Sequence, residues 1–279
     1  MRALAGTVAV VTGAASGIGR ALALRLAQEG CMLALGDVDA AGLAESAAAA
    51  RKTGVRVSTH RVDVSDAAAM EEFRDAVLRE HGRVALLVNN AGVAMIGTVA
   101  ELGLDDIAWL LGINFWGVVH GVKLFLPVLQ QQYDAHIVNL SSIFGIIAPP
   151  GQAAYAASKF AVRGFSEALR HELAAAGSTV KVSVVHPGGV RTPIAANARA
   201  AAGVSNARRS ELVSRFAQVA RTTPEAAAER IVQGILKDEK RILIGRDARF
   251  LDRVQRLFPA SYWRIVARSW GPRAPHGRR

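Results

Sequence analysis

Thr12-Gly13-Ala14-Ala15-Ser16-Gly17-Ile18-Gly19 follows a short apolar run, Val8 to Val11, and opens into an Ala/Leu-rich helical pattern, Ala21 to Ala27. The order is strand, glycine turn, helix, and the order matters because three glycines alone say little. In this setting one glycine permits the tight turn, one lets the backbone approach a diphosphate, and one lets helix and strand pack closely. The start of the helix then offers free N–H groups and a partial positive charge to phosphate oxygens. The stretch predicts a dinucleotide cradle formed by Gly13, Ser16, Gly17, Ile18 and Gly19.

Outward from the cradle, apolar runs and helical patterns alternate. A second run, Cys31 to Leu35, ends at Gly36-Asp37, and Asp37 lies 24 residues after Gly13. A carboxylate there accepts hydrogen bonds from both ribose hydroxyls of an adenosine and repels a 2′-phosphate. Its sequence neighbours are Gly36, Val38 and Asp39, and position 16 is Ser rather than a basic residue; both facts favour NAD over NADP. Next come an Ala-rich helix (40–52), a strand (55–62) closed by Asp63-Val64, and a helix (66–80) for which Ser65 is the expected N-cap. Val84 to Val88 is wholly apolar, as a parallel strand covered on both faces should be, and Asn89-Asn90-Ala91-Gly92 ends it with small residues that let backbone lie against a ligand. A long helical pattern spans 104–132 with Asn114 in its middle, where propensity disfavours Asn. Further strands follow at 136–140, ending in Ser141-Ser142, and at 180–185, ending in His186-Pro187-Gly188. Pro224 opens a helix after Thr223, and Arg241 to Ile244 forms a last strand. This alternation demands an α/β architecture with a doubly wound parallel sheet.

Tyr155 and Lys159 stand four apart in a helical pattern, which puts them on one face. A tyrosine near pKa 10 is a poor base at neutral pH, but an adjacent ammonium stabilises phenolate and lowers that value. With a serine hydroxyl to hold a substrate oxygen and a nicotinamide to carry hydride, such a pair moves the proton in alcohol oxidation or ketone reduction. No His, Cys, Asp or Glu cluster has metal-ligand spacing, so no metal is expected. His186, before Pro187-Gly188, is read as structural.

In Thr12-Gly13-x-x-x-Gly17-x-Gly19, Asp37, Asp63-Val64, Asn89-Asn90-Ala91-Gly92, Asn114, Ser142, Tyr155-x-x-x-Lys159 and Pro187-Gly188 with Thr192, the sequence closely resembles the short-chain dehydrogenase/reductase family, in its single-domain branch. The resemblance covers residues 7–245 and implies a seven-stranded parallel Rossmann sheet with helices on both faces. It also implies roles. Tyr155 would be the acid/base, and Lys159 would lower its pKa and hold the nicotinamide ribose. Ser142, rather than Ser141, would orient the substrate oxygen, and Asn114 would hold a water linking Lys159 to solvent. Asp63 and the Val64 backbone would hold adenine. Asn90, Ala91 and Gly92 would line the adenosine-side ribose. Pro187, Gly188, Val190 and Thr192 would grip the nicotinamide carboxamide. A dimer or tetramer, joined through the helices of Asn114 and Tyr155, is the family expectation.

The chain has 279 residues, 51% of them hydrophobic, enough for a large core. One NAD-binding domain is expected over 1–245, including a substrate lid at 190–222, with a C-terminal extension over 246–279. No long uncharged apolar run suggests a membrane span, and Met1 to Gly6 leads directly into the first strand, which leaves no room for a signal peptide. The single cysteine, Cys31, is expected in a buried strand and fits a reducing, cytoplasmic setting. Of the net charge of +11, most lies in 246–279, which holds nine Arg and two Asp. Phe250, Leu251, Val254, Leu257 and Phe258 recur there at helical spacing with Arg246, Arg249, Arg253 and Arg256, followed by Tyr262, Trp263, Ile265, Val266 and Trp270. The first expectation is a basic amphipathic helix packed on its own domain or across an oligomer interface; the second is peripheral membrane contact through 246–270. Nucleic acid is not expected as a partner. Gly271 to Arg279 is expected to be mobile.

The candidate pocket walls, Val93 to Ile96, Ile143 to Ile147 and Pro149 to Gln152, are mostly apolar, which suggests an apolar alcohol or ketone substrate. The alternatives are an NADPH-dependent carbonyl or 3-oxoacyl reductase, against which Asp37 argues, and a non-catalytic dinucleotide sensor, which has no need of the full Asn-Ser-Tyr-Lys set.

Overall fold

The computed structural model describes Met1 and residues 3–270, with side chains through 267; the stretch 271–279, expected to be mobile, lies outside the described residues. Seven parallel strands form one sheet in the order β3-β2-β1-β4-β6-β7-β9, with β1 Val8–Thr12, β2 Met32–Asp37, β3 Val57–Arg61, β4 Leu86–Asn89, β6 His136–Leu140, β7 Lys181–Pro187 and β9 Arg241–Ile244. A second, two-stranded sheet pairs β5 Met95–Ile96 with β8 Arg199–Ala200.

The strands read as apolar runs because both faces are covered. Every residue of β1 is buried. Ala9 and Val11 pack toward α1 (Gly17–Gln28), α2 (Ala40–Arg51) and α8 (Pro224–Leu236) through Leu22, Leu26, Leu43, Ile231 and Ile235. Val8 and Val10 pack the other way, toward α3 (Ala67–His81), α5 (Gly117–Leu129) and α6 (Ala153–Ala175), through Phe73, Phe125, Leu129 and Leu169. Strand order reverses between β1 and β4, so a crevice opens at the carboxyl ends of these strands, the place where doubly wound sheets bind ligands. Thr12, Asp37, Asn89, Ser142 and Pro187 all stand at or just beyond those ends.

Three details depart from the sequence reading. Ser65 does not cap α3; Asp66 does, accepting from the backbone N–H groups of Ala68 and Ala69. Ser65 instead donates from its hydroxyl and its N–H to Asp63 Oδ1, at 2.7 and 2.9 Å, because a carboxylate at 66 is the stronger acceptor toward a helix N-terminus. The 104–132 pattern is not one regular helix: α4 (Leu104–Leu111) passes through a π turn at Gly112–Trp116 before α5. Residues Leu104–Leu129 are long and apolar enough to cross a membrane by length and composition, yet Val118, Val122, Phe125 and Leu129 are buried in the core, which marks them as part of a core helix. Finally, residues 190–222 are not a bare loop. They contain β8 and α7 (Asn206–Val219), and the flap is clipped at two points: Arg208 pairs with Glu101, and the Arg199 guanidinium lies 3.7 Å above the Trp109 ring.

The C-terminal extension forms α9 (Arg246–Leu257) and α10 (Tyr262–Trp270). Ala248, Leu251, Val254 and Val266 bury against Ile143, Ile146 and Ile147, so this part of the chain packs on its own domain. The Asp247 carboxylate accepts the Gly189 N–H at 2.7 Å, Asp252 pairs with Arg241, and the Tyr262 hydroxyl accepts the Ala148 N–H at 3.0 Å. Cys31 immediately precedes β2, buried, with its thiol donating to the Leu4 carbonyl at 3.3 Å.

Two histidines are wholly buried in the sheet. His136 shares a hydrogen bond with the Ser183 hydroxyl and His186 bonds the Ser142 carbonyl through Nδ1. Burial pushes His136 down to about 3 and His186 down to about 4. Both are therefore neutral in the folded protein, whereas the unfolded chain takes up protons below about pH 6.5. The unfolded state binds more protons in that window, so stability must fall as pH drops from about 6.5 toward 4, by about 1.4 kcal/mol per unit per group at the limit. A urea series across that range is expected to show a declining midpoint, with a shallower decline in His186→Asn. A midpoint independent of pH would contradict the burial argument.

Candidate active site

β6 delivers Ser141 and Ser142 to the crevice. Ser141 is spent on structure, its hydroxyl donating to the Lys159 carbonyl at 2.7 Å. The Ser142 Oγ accepts the Phe144 N–H at 3.1 Å and hydrogen-bonds the Tyr155 side chain. The Ser142, Tyr155 and Lys159 side chains are thus brought together, with Lys159 Nζ 5.7 Å from the centre of the Tyr155 ring. Lys159 is buried and donates to the Leu140 carbonyl at 3.0 Å. Phe144 stands edge-on to Tyr155, their ring centres 6.0 Å apart, and closes one side.

The titration of the pair differs from the sequence reading. Burial pushes the Tyr155 phenol up to about 12, opposed by its hydrogen bond to Ser142, and burial alone draws Lys159 down to about 8. In the protein by itself desolvation outweighs the attraction between ammonium and phenolate, because Nζ is turned onto the Leu140 carbonyl. A lowered phenol pKa needs further positive charge in the crevice.

Asn114 is fully buried in the π turn. Its Oδ1 accepts the Val93 N–H at 2.8 Å, and its Nδ2 donates to the Val93 carbonyl and to Ser158 Oγ at 3.0 and 3.1 Å. Ser158 donates in turn to the Tyr155 carbonyl at 2.7 Å. The side-chain amide thus fixes the loop after β4 to the helix of Tyr155. A Cβ on Gly92 would lie 3.2 Å from Asn114 Oδ1 and 3.3 Å from Lys159 Nζ, so the two groups face one small residue.

The glycine turn supplies the cradle. Gly13 has φ +66°, and a Cβ there would come within 2.6 Å of Ala91 Cα. A Cβ on Gly19 would overlap the Gly13 carbonyl. Asn90 Nδ2 donates to the Thr12 and Gly13 carbonyls at 2.9 and 3.0 Å, and Thr12 Oγ1 accepts from the Asn90 and Ala91 N–H groups. The two loops are thereby locked together. Ser16 is extended and its side chain does not cap α1, which leaves the helix start to a ligand anion. Asp37 Oδ2 accepts the Ala15 N–H at 2.9 Å, aiming the carboxylate along the turn. On the far side, a Cβ on Gly17 would lie 3.2 Å from Thr192, so the Pro187, Gly188, Val190 and Thr192 segment faces the same crevice. Asp63 is exposed, held by Ser65, and the Val64 carbonyl accepts from His120 Nδ1 at 2.9 Å. These residues fit a nicotinamide dinucleotide: a helix start without a side-chain cap, backbone too close for any side chain, and a carboxylate at the end of β2.

Three contributors, Asp247, Tyr262 and Arg61, escaped the sequence reading of the site, while His186 is the structural residue that the sequence reading expects. Asp247, on α9, holds the Gly189 N–H and occupies the space a Gly188 Cβ would need. His186 supports the Ser142 backbone. Tyr262 pins Ala148. Arg61 is the register partner of Asp37 on the neighbouring strand, and its Nε reaches the Val38 carbonyl at 3.4 Å; no basic residue adjoins Asp37 in sequence, but the sheet brings one beside it. Of the expected pocket walls, Ile143, Ile146 and Ile147 turn toward α9 and α10 rather than the crevice. A cavity of about 370 Å³ beneath α7 is lined by Thr192, Pro193, Val213 and Phe216. Ser142 and Tyr155 do not line it, so this cavity lies apart from the hydroxyl cluster.

Asp247→Ala is expected to loosen the Gly188-Gly189 turn, raising the dinucleotide Kd several-fold while Asp37-side contacts persist; titration calorimetry with the wild-type Kd would contradict this coupling.

Comparison with known proteins agrees with the geometry. The family model described as short chain dehydrogenase matches residues 7–203. SadH of Mycobacterium tuberculosis is 46% identical over 267 residues, which is 96% of each chain. The 3-oxoacyl-[acyl-carrier-protein] reductase FabG of Thermotoga maritima is 35% identical over 191 residues, 68% of this chain and 77% of its own. A short-chain dehydrogenase/reductase from Burkholderia phymatum, solved in complex with NAD, superposes with a TM-score of 0.87 at 35% identity over 93% of this chain and 96% of that one. The chain belongs to the short-chain dehydrogenase/reductase family and is an oxidoreductase built on its Rossmann fold.

Proposed function

We propose that the protein interconverts a secondary alcohol and a ketone on a mostly apolar substrate, with NAD as the cofactor. The observation that carries this is the Ser142–Tyr155 hydrogen bond with the Lys159 ammonium beside it at the mouth of the glycine cradle. A bound nicotinamide supplies the hydride acceptor or donor, which no side chain can. Ser142 holds the substrate oxygen; the Tyr155 phenolate takes the alcohol proton in oxidation, and the Tyr155 hydroxyl gives a proton to the ketone oxygen in reduction. Lys159 stabilises the phenolate and holds ribose hydroxyls. Phe144 excludes water from one side of the phenol. The alcohol proton passes to the phenolate, which forms more readily at high pH, so oxidation should accelerate as pH rises and reduction should slow.

Asp37 supports the preference for NAD, because its carboxylate is fixed at the end of β2 where a 2′-phosphate would meet like charge. Arg61 beside it is the natural counter-charge once the carboxylate is gone. A 3-oxoacyl reductase reading finds support in the similarity to a protein of that name, but Asp37 sets it second to the NAD-dependent alcohol reading.

Tyr155→Phe is expected to lower kcat by at least about 100-fold while the dinucleotide Kd, measured by calorimetry, stays within about twofold. Retained turnover would remove Tyr155 from proton transfer. Asp37→Ala is expected to lower the ratio of kcat/KM for NAD over NADP by at least about tenfold, given one like-charge contact removed, and Arg61→Gln in that background should take the gained NADP activity away. A wild type that prefers NADP would overturn the cofactor assignment.

A further inference from the structure

α9 and α10 present an outer face that packing on the domain does not use. Leu251 and Val254 point inward, while Phe250, Leu257, Phe258 and Ile265 remain exposed, at 55, 73, 46 and 40%. Phe250 and Leu257 are seven residues apart on α9 and share a stripe. Arg246, Arg249, Arg253 and Arg256 flank it, and Arg264 is exposed on α10. The face therefore combines bulky apolar side chains with a concentration of arginines.

We propose that this face docks the protein on the surface of an anionic lipid bilayer. Arginines around an apolar stripe suit the interface, where side chains such as Phe and Leu enter the acyl boundary and guanidinium groups meet anionic headgroups. A second copy of the chain is the poorer occupant. A two-fold contact sets the same patch against itself, and here it would oppose Arg249 and Arg253 to arginines of the partner with no acidic side chain to separate them; Asp247 and Asp252 are already engaged with Gly189 and Arg241. The face is also pre-organised. Asp247, Asp252 and Tyr262 bolt the two helices to the domain, so docking orders no long segment and loses little entropy. The anchorage lies behind Ile143–Gly145, the turn that directly follows Ser142, which sets the bilayer contact on the same side of the molecule as the segment carrying the hydroxyl cluster. The proposal stands independently of the alcohol reading, since lipid binding and turnover are measured separately.

The test is co-sedimentation of the full chain with phosphatidylglycerol/phosphatidylcholine vesicles and with pure phosphatidylcholine vesicles, at low salt and at 0.5 M salt (about a 4 Å Debye length). The expected result is sedimentation with the anionic vesicles, weakened by salt and absent with the neutral ones. The combined variant Arg249→Gln, Arg253→Gln, Arg264→Gln should partition roughly 100-fold less, and Phe250→Ser, Leu257→Ser, Phe258→Ser at least about tenfold less. Neither set touches the site, so both should keep wild-type turnover of a soluble alcohol. Failure of the wild type to sediment with anionic vesicles overturns the proposal. So does a binding loss confined to the arginine variants, which would indicate charge attraction without insertion, and so does a change in oligomeric mass in the apolar variant, which would assign the face to a contact between copies.

Discussion

Lys159 carries a positive charge in a buried position, with a backbone carbonyl as its hydrogen-bond partner and burial as the force on its proton affinity. Burying a cation is costly unless its surroundings compensate, and much of the molecule around it serves that need. Ser141 fixes the Lys159 carbonyl, so the helix carrying Lys159 cannot slide along β6. Asn114 ties the loop after β4 to Ser158 on the same helix. A side chain at Gly92 would crowd both Asn114 Oδ1 and Lys159 Nζ. The π turn gives Asn114 its inward aim at a point where a regular helix would carry the residue round by a different angle.

The same constraint sets the chemistry. A phenol pushed up by desolvation and an ammonium drawn down by it are both poised toward their neutral forms. Such a pair does little acid–base work at neutral pH until an added positive charge favours the phenolate. The cradle is shaped to bring a group of that kind: a helix start without a side-chain cap, glycines locked by Asn90, and Asp37 fixed by the Ala15 N–H. A cationic nicotinamide held in the cradle would favour the phenolate.

The fold was legible because its signals are local. A glycine turn between a strand and a helix, β-branched runs of the right length, and a Tyr and Lys at four-residue spacing each depend on neighbours in sequence. The grouping of Ser142 with Tyr155 came from the resemblance to the family. What escaped depends on contacts across the sheet or on competition between nearby groups. Asp66 took the cap from Ser65 because a carboxylate outbids a hydroxyl one residue away. Arg61 stands beside Asp37 only through strand register. Asp247 lies 58 residues from the Gly189 N–H it holds, and nothing in its own neighbourhood announces it. The upward shift of Tyr155 is a property of burial, which no four-residue spacing can report. The C-terminal helices show both sides: their amphipathic pattern was plain, but which apolar residues turn inward was decided by Ile143, Ile146 and Ile147.

The central claim is that Tyr155 is an acid–base group whose proton is released only when the crevice gains positive charge. It can be read directly, because the chain has three tyrosines and difference absorbance of phenolate in wild type against a variant lacking the Tyr155 hydroxyl isolates this one. The account predicts that Tyr155 titrates near 12 in the protein alone and that saturating NAD moves its ionisation down by more than two pH units, into the range where a base operates. An unchanged titration with and without NAD would contradict it, and so would ionisation near neutral pH in the protein alone.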